Sequence, residues 1–97
     1  MLNLDAFWKL RLMFPELTES QFQVLMLYAF GLGNESIAGI LNCSVNAIKL
    51  SLRRIKENLN VEKLEMVRVI YHCRIQTAMM APNDFPSSYY EKIKENK

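Results

Sequence analysis

At 97 residues, with 51% apolar and 23% charged residues, the chain is too apolar for a disordered polypeptide and long enough for one modest core. That length is expected to leave no room for a separate sensor or catalytic domain, so regulatory input is expected from outside. The net charge of +2 is small, and its placement tells more: residues 45 to 58 hold Lys49, Arg53, Arg54 and Lys56 against Glu57 alone.

Several function classes drop out early. No run approaches the ~18 apolar residues of a membrane span, and the N-terminus lacks the pattern of a signal peptide, so a cytoplasmic protein is expected. Cys43 and Cys73 stand in no CxxC or Cys/His spacing, and His72 is the one histidine; no metal set or cofactor is expected, and both thiols read as packing residues. Without a nucleophile and base pair or a phosphate-cradling loop, an enzyme is not expected.

In chain order the pattern is helical throughout, with no strand alternation and three glycines, which predicts an all-α bundle. A first helix over residues 3 to 13 carries Leu4, Phe7, Trp8, Leu10 and Leu12 and stops at Phe14, because Pro15 disfavours helical geometry in the residue before it. Thr18 and Gln21 make a capping box for a second helix that ends at Gly31. Asn34 is expected to cap a third helix running to about Leu41. The turn Asn42, Cys43, Ser44 leads into a fourth, capped by Ser44 and stopped by Asn60. A fifth runs from about Glu62 to Met80, where Pro82 and Pro86 soon break the pattern. This divides the chain into an additional N-terminal helix (1–16), a helix-turn-helix domain (17–80) and a loosely ordered or short-helical tail (81–97).

The fourth helix carries the functional signal. Val45, Ile48, Leu52, Ile55 and Leu59 recur at steps of three and four and form one apolar stripe. At about 100° per residue, Asn46, Lys49, Leu50, Arg53 and Arg54 are expected on the outward side. Two helices separated by three residues, the second bearing cations on its free face, are the layout of a helix-turn-helix. Such a face suits a major groove, where bases offer acceptors and a thymine methyl.

From Leu17 to about Val67 the sequence resembles the LuxR/GerE-type DNA-binding domain. The residues that carry the likeness are LTESQFQVLMLYAFG, then NESIAGILNCSVNAIK, then Ile55, Leu59 and Val61. The resemblance implies a four-helix domain of a bacterial transcription regulator that binds double-stranded DNA as a homodimer. It places base reading on Lys49, Leu50 and Arg53, while Arg54, Lys56 and Ser44 more plausibly meet phosphates and Asn46 lies on the same face. Departures from the family pattern are Gln21 in the capping box, Ala47 and Ser51 on the recognition helix, and Glu35, an acid where phosphates could pass.

Family members tend to pair through the last helix, whose apolar surface is wide here; Met66, Val69, Ile70 and Cys73 are the candidate dimer contacts. The alternative is an interaction module that pairs with another regulator or with RNA polymerase and binds DNA weakly. A sigma-factor-like promoter-reading domain, which shares the motif, is a third reading. Finally, Phe22, Met26 and Phe30 form an i, i+4, i+8 stripe at positions where LuxR-type domains usually show polar residues. Either Phe7, Trp8 and Leu12 cover that stripe, or a partner does.

Overall fold

A computed structural model describes residues 10–80. Among them the elements are four helices and no strand: α1 Glu19–Ala29, α2 Asn34–Leu41, α3 Val45–Asn58 and α4 Glu65–Met80. Ahead of α1, Leu10 and Arg11 are helical and a turn follows. Phe7, Trp8 and the tail 81–97 lie outside the described residues, so neither the body of the first expected helix nor the order of the tail is described.

The helix boundaries follow from local chemistry. Thr18 Oγ1 accepts from the Gln21 amide at 3.1 Å, and the Thr18 amide donates to Gln21 Oε1 at 3.0 Å, so the expected capping box is formed. At the other end of α1, Gly31 takes φ 96°, the amide of Leu32 reaches back to the Leu27 carbonyl, and that of Gly31 to Tyr28. The end of α3 repeats this arrangement with Asn60 at φ 58°, where Val61 bonds to Lys56 and Asn60 to Glu57. Asn42, at φ 56°, closes α2 in the left-handed region, and Cys43 donates to Ala38 at 3.0 Å. Gly and Asn stand at these three stops because other side chains are strained there.

Two boundaries differ from expectation. The residue capping α2 is Gly33, without a side-chain hydrogen bond, and Asn34 is already helical. The last helix begins at Glu65 instead of Glu62: the bond from Val61 back to α3 holds residues 61 to 64 in a turn, and Met66 and Val67 donate to Lys63 and Leu64 as the chain enters α4.

α1 is the central element. It packs on α2, α3 and α4, which is why Phe22, Val24, Leu25, Met26 and Ala29 are all buried and its apolar residues do not keep to a single stripe. α2 and α3 pack against each other and contribute Ile37, Ala38, Ile48, Leu52, Ile55 and Leu59 to the core, while Leu27, Leu41 and Val45 are half-buried around it.

Of the stripe Phe22, Met26 and Phe30, the first two are buried within the chain and Phe30 is 62% exposed. The cover over Phe22 is Phe14, at 5.4 Å between ring centroids, together with Tyr71 of α4 at 6.3 Å. Leu12, expected to share that duty, is 40% exposed. Phe14 and Tyr71 stack at 5.7 Å, and Phe30 touches Tyr71 edge-on at 6.4 Å.

Polar side chains of α4 lock it onto the ends of other segments. Arg68 donates Nε–H to the Tyr28 carbonyl at 2.9 Å while its guanidinium lies 3.8 Å over the Tyr28 ring. His72 Nε2 lies 3.2 Å from the Ala29 carbonyl, so that nitrogen carries the proton. Both residues occupy the carbonyl-rich end of α1, where cations and donors are favoured. Arg74 donates to the Met13 carbonyl at 2.8 Å and to both oxygens of Glu16 at 2.8 and 2.7 Å. It ties the segment before α1 to α4.

Candidate nucleic-acid interface

The helix-turn-helix consists of α2, the turn Asn42 to Ser44, and α3. The left-handed Asn42 reverses the chain in three residues. Ser44 then caps α3 by accepting from the Ala47 amide at 3.0 Å. The far end of α3 is anchored as well: Asn58 Nδ2 donates to Gln21 Oε1 at 3.3 Å, the oxygen that also serves the α1 capping box. α3 is therefore held at both ends, with its apolar stripe on α1 and α2.

Around α3, at about 100° per residue, Asn46, Leu50, Arg53, Arg54 and Glu57 lie within about 55° of the direction opposite the buried Ile48, Leu52, Ile55 and Leu59. Asn46, Arg53, Arg54 and Glu57 are exposed, and Leu50 is half-buried. Lys49 and Lys56, by the same measure, stand about 90 to 110° away, on the flank. Lys49 is exposed, as expected, but off the outermost edge; Lys56 is half-buried and Ser44 is exposed at the start of the helix.

The flank is concave. Lys49, Leu52, Arg53 and Lys56 of α3 line an open crevice of about 190 Å³ with Asn34 at the start of α2 and Leu64 before α4. No carboxylate lines it, and among the described residues none of its three cations is in an ion pair. Sequence reasoning did not find Asn34 and Leu64, which reach the flank only through tertiary packing. Glu57 entered the sequence reading as a charge alone, yet it shares the outermost edge with Arg53; a carboxylate there can accept from the cytosine amino group.

The expected dimer contacts on α4 divide. Met66 is 40% and Val69 48% exposed, and Cys73 is exposed, whereas Ile70 is half-buried against the core. Among the described residues there is no group of side chains that could hold a metal ion and no helix long and apolar enough to cross a membrane.

A short α2, a three-residue turn and an anchored α3 whose free face is rich in cations define a helix-turn-helix DNA-binding domain. The comparisons agree with that class. Residues 7–59, more than half of the chain, match the family model described as Sigma-70, region 4, and the chain belongs to that family. The match begins inside the N-terminal segment that the sequence reading set apart as additional, and it gives no support to the finer LuxR/GerE assignment. No curated protein and no solved structure matches closely enough to be counted as similar.

Proposed function

We propose that the protein is a sequence-specific regulator of transcription that lays α3 in the major groove of double-stranded DNA. The observation that carries this reading is the combination on one anchored helix of an outward edge, Asn46, Leu50 and Arg53, with cations beside it that make no ion pair among the described residues. Arg53 has the fork geometry for guanine, Asn46 that for adenine, and Leu50 an apolar contact for a thymine methyl. Arg54 and Ser44, at the margins, are assigned to backbone phosphates. A mobility shift with duplexes selected from a random pool, at low and moderate salt, tests this. Binding to one selected sequence over its scrambled version is expected; equal binding to both removes sequence reading.

Pairing of two copies through α4 belongs to the same proposal. Met66, Val69 and Cys73 are exposed on α4, and two copies of that surface can meet about a two-fold axis. The 16 residues of α4 make a helix about 24 Å long and about 10 Å across, a face on the order of 240 Å², well short of the ~800 Å² per partner of a standard interface. Pairing is therefore expected on DNA before it is seen free in solution. Sedimentation with and without a two-half-site duplex reads this directly, and a strict monomer in both refutes it.

A second reading has its own support. Glu57 on the reading edge and Glu35 on the first turn of α2 work against DNA affinity, and domains of the Sigma-70 region 4 family interact with components of RNA polymerase. On that reading the exposed Met66, Val69 and Cys73 of α4 receive a subunit of the transcription machinery. A shift that appears only when polymerase is added favours it.

A further inference from the structure

The crevice on the flank of α3 has a chemistry distinct from the outermost edge. Lys49, Arg53 and Lys56 follow one another at i, i+4 and i+7, so their charges line one wall. Leu52 and Leu64 make the rest of the lining apolar, Asn34 adds an amide, and none of the lining residues is acidic, Glu57 standing on the outward edge beyond Arg53. Like charges along one wall favour an anion between them, and the apolar part of the lining strengthens the attraction. The volume of about 190 Å³ accommodates several waters at about 30 Å³ each, room for a phosphate and its bridging oxygens.

We infer that this crevice seats one backbone phosphate of the bound duplex, held by Lys49 and Lys56, and that Lys49 therefore fixes the register of α3 instead of reading a base. The inference rests on the DNA-binding reading and refines it. Continuity favours a phosphodiester over a free anion. Arg53 both lines the crevice and borders the outward edge, so a strand passing the flank places its neighbouring bases before Asn46, Leu50 and Arg53. The crevice is open, as a chain-like ligand requires, and it is not an enclosed pocket. Base contact then falls to the edge residues, and the two lysines contribute an affinity that does not depend on sequence.

The test uses the full chain with Lys49→Gln, Lys56→Gln and, for contrast, Arg53→Gln, each checked for native helicity by circular dichroism. Binding to a selected duplex is measured across a salt series and against every single-base change in the site. Either lysine variant is expected to flatten the slope of log affinity against log salt by up to about 0.9, the value for one phosphate. Both should keep the order of base preferences, whereas Arg53→Gln should lose a preference at one position. Replacing a single phosphate by an uncharged methylphosphonate should weaken wild type at one backbone position and weaken each lysine variant less there, since one of the two lysines is already gone. A changed base preference in Lys49→Gln with an unchanged salt slope overturns the inference and leaves DNA binding standing. Inorganic phosphate that binds wild type but neither lysine variant, without displacing the duplex at constant ionic strength, identifies a free-anion site apart from the DNA and also overturns it. Failure of wild type to bind any duplex at low salt removes the underlying reading itself.

Discussion

Replacing Phe14 by alanine is the sharpest test of how the segment ahead of α1 supports the domain. Phe14 is 1% exposed, packs its ring on Phe22 and Tyr71, and lies 5.0 Å beneath the Arg74 guanidinium. Truncating a buried phenylalanine costs about 3 to 5 kcal/mol, the sum of lost transfer energy and the cavity left behind. Each aromatic contact supplies about 0.5 to 1.5 kcal/mol within that total. A domain of this size holds about 5 to 15 kcal/mol in all, so the variant should lose about a fifth of its stability or more. At about 4 to 8 °C per kcal/mol the midpoint should fall by at least about 12 °C. Urea titration followed by far-ultraviolet circular dichroism measures the change, with Phe30→Ala as the control. Phe30 is mostly exposed and touches only the edge of Tyr71, so its truncation should cost less than about 1 kcal/mol. Equal losses in the two variants, or a loss below about 1 kcal/mol for Phe14→Ala, would refute a core built through Phe14.

Glu16→Gln removes the charge from a pair whose side chains are only 16% and 11% exposed. It should cost about 1.5 to 3 kcal/mol, with a double-mutant cycle against Arg74→Met showing the coupling; additive losses would place the two side chains apart. Burial raises the Tyr71 phenol above its ordinary value of 10.0, so the folded state favours the neutral form. That contribution is complete below pH 10 and is lost as pH rises through the raised folded value. Tyr71→Phe should accordingly lose less stability than wild type between neutral pH and pH values above 10, and parallel curves for the two proteins would contradict it.

The parts of this fold that were legible in the sequence are those set by neighbours in the chain. Thr18 with Gln21, Ser44, Gly31 and Asn60 act within a few residues of themselves, and each does in the structure what its type and position predict. The three-residue turn of the helix-turn-helix was equally plain, because one apolar period ends at Leu41 and another starts at Val45. What escaped was tertiary. Phe14 marked a helix stop in the sequence, but its partners Phe22 and Tyr71 stand 8 and 57 positions further along the chain. Lys49 was placed on the outward face because periodicity separates buried from exposed without saying what borders the flank; Asn34 and Leu64 make that flank a crevice. The family was narrowed by the same limit. Features common to helix-turn-helix domains dominated the motif, and the LuxR-type reading drew on them while the match found is to Sigma-70 region 4.

The central claim is that α3 reads base sequence, and a binding-site selection from random duplexes, run with wild type and Arg53→Gln in parallel at about 100 mM salt, tests it most directly. At that ionic strength the screening length is about 10 Å, so loose attraction is curtailed while seated contacts persist. Wild type should enrich one motif containing a fixed guanine, and Arg53→Gln should enrich the same motif with that position relaxed, since a bidentate arginine contact is worth about 1 to 3 kcal/mol of discrimination. Pools that stay random with wild type, or an identical motif from both proteins, would contradict the assignment of α3 and Arg53 to base recognition.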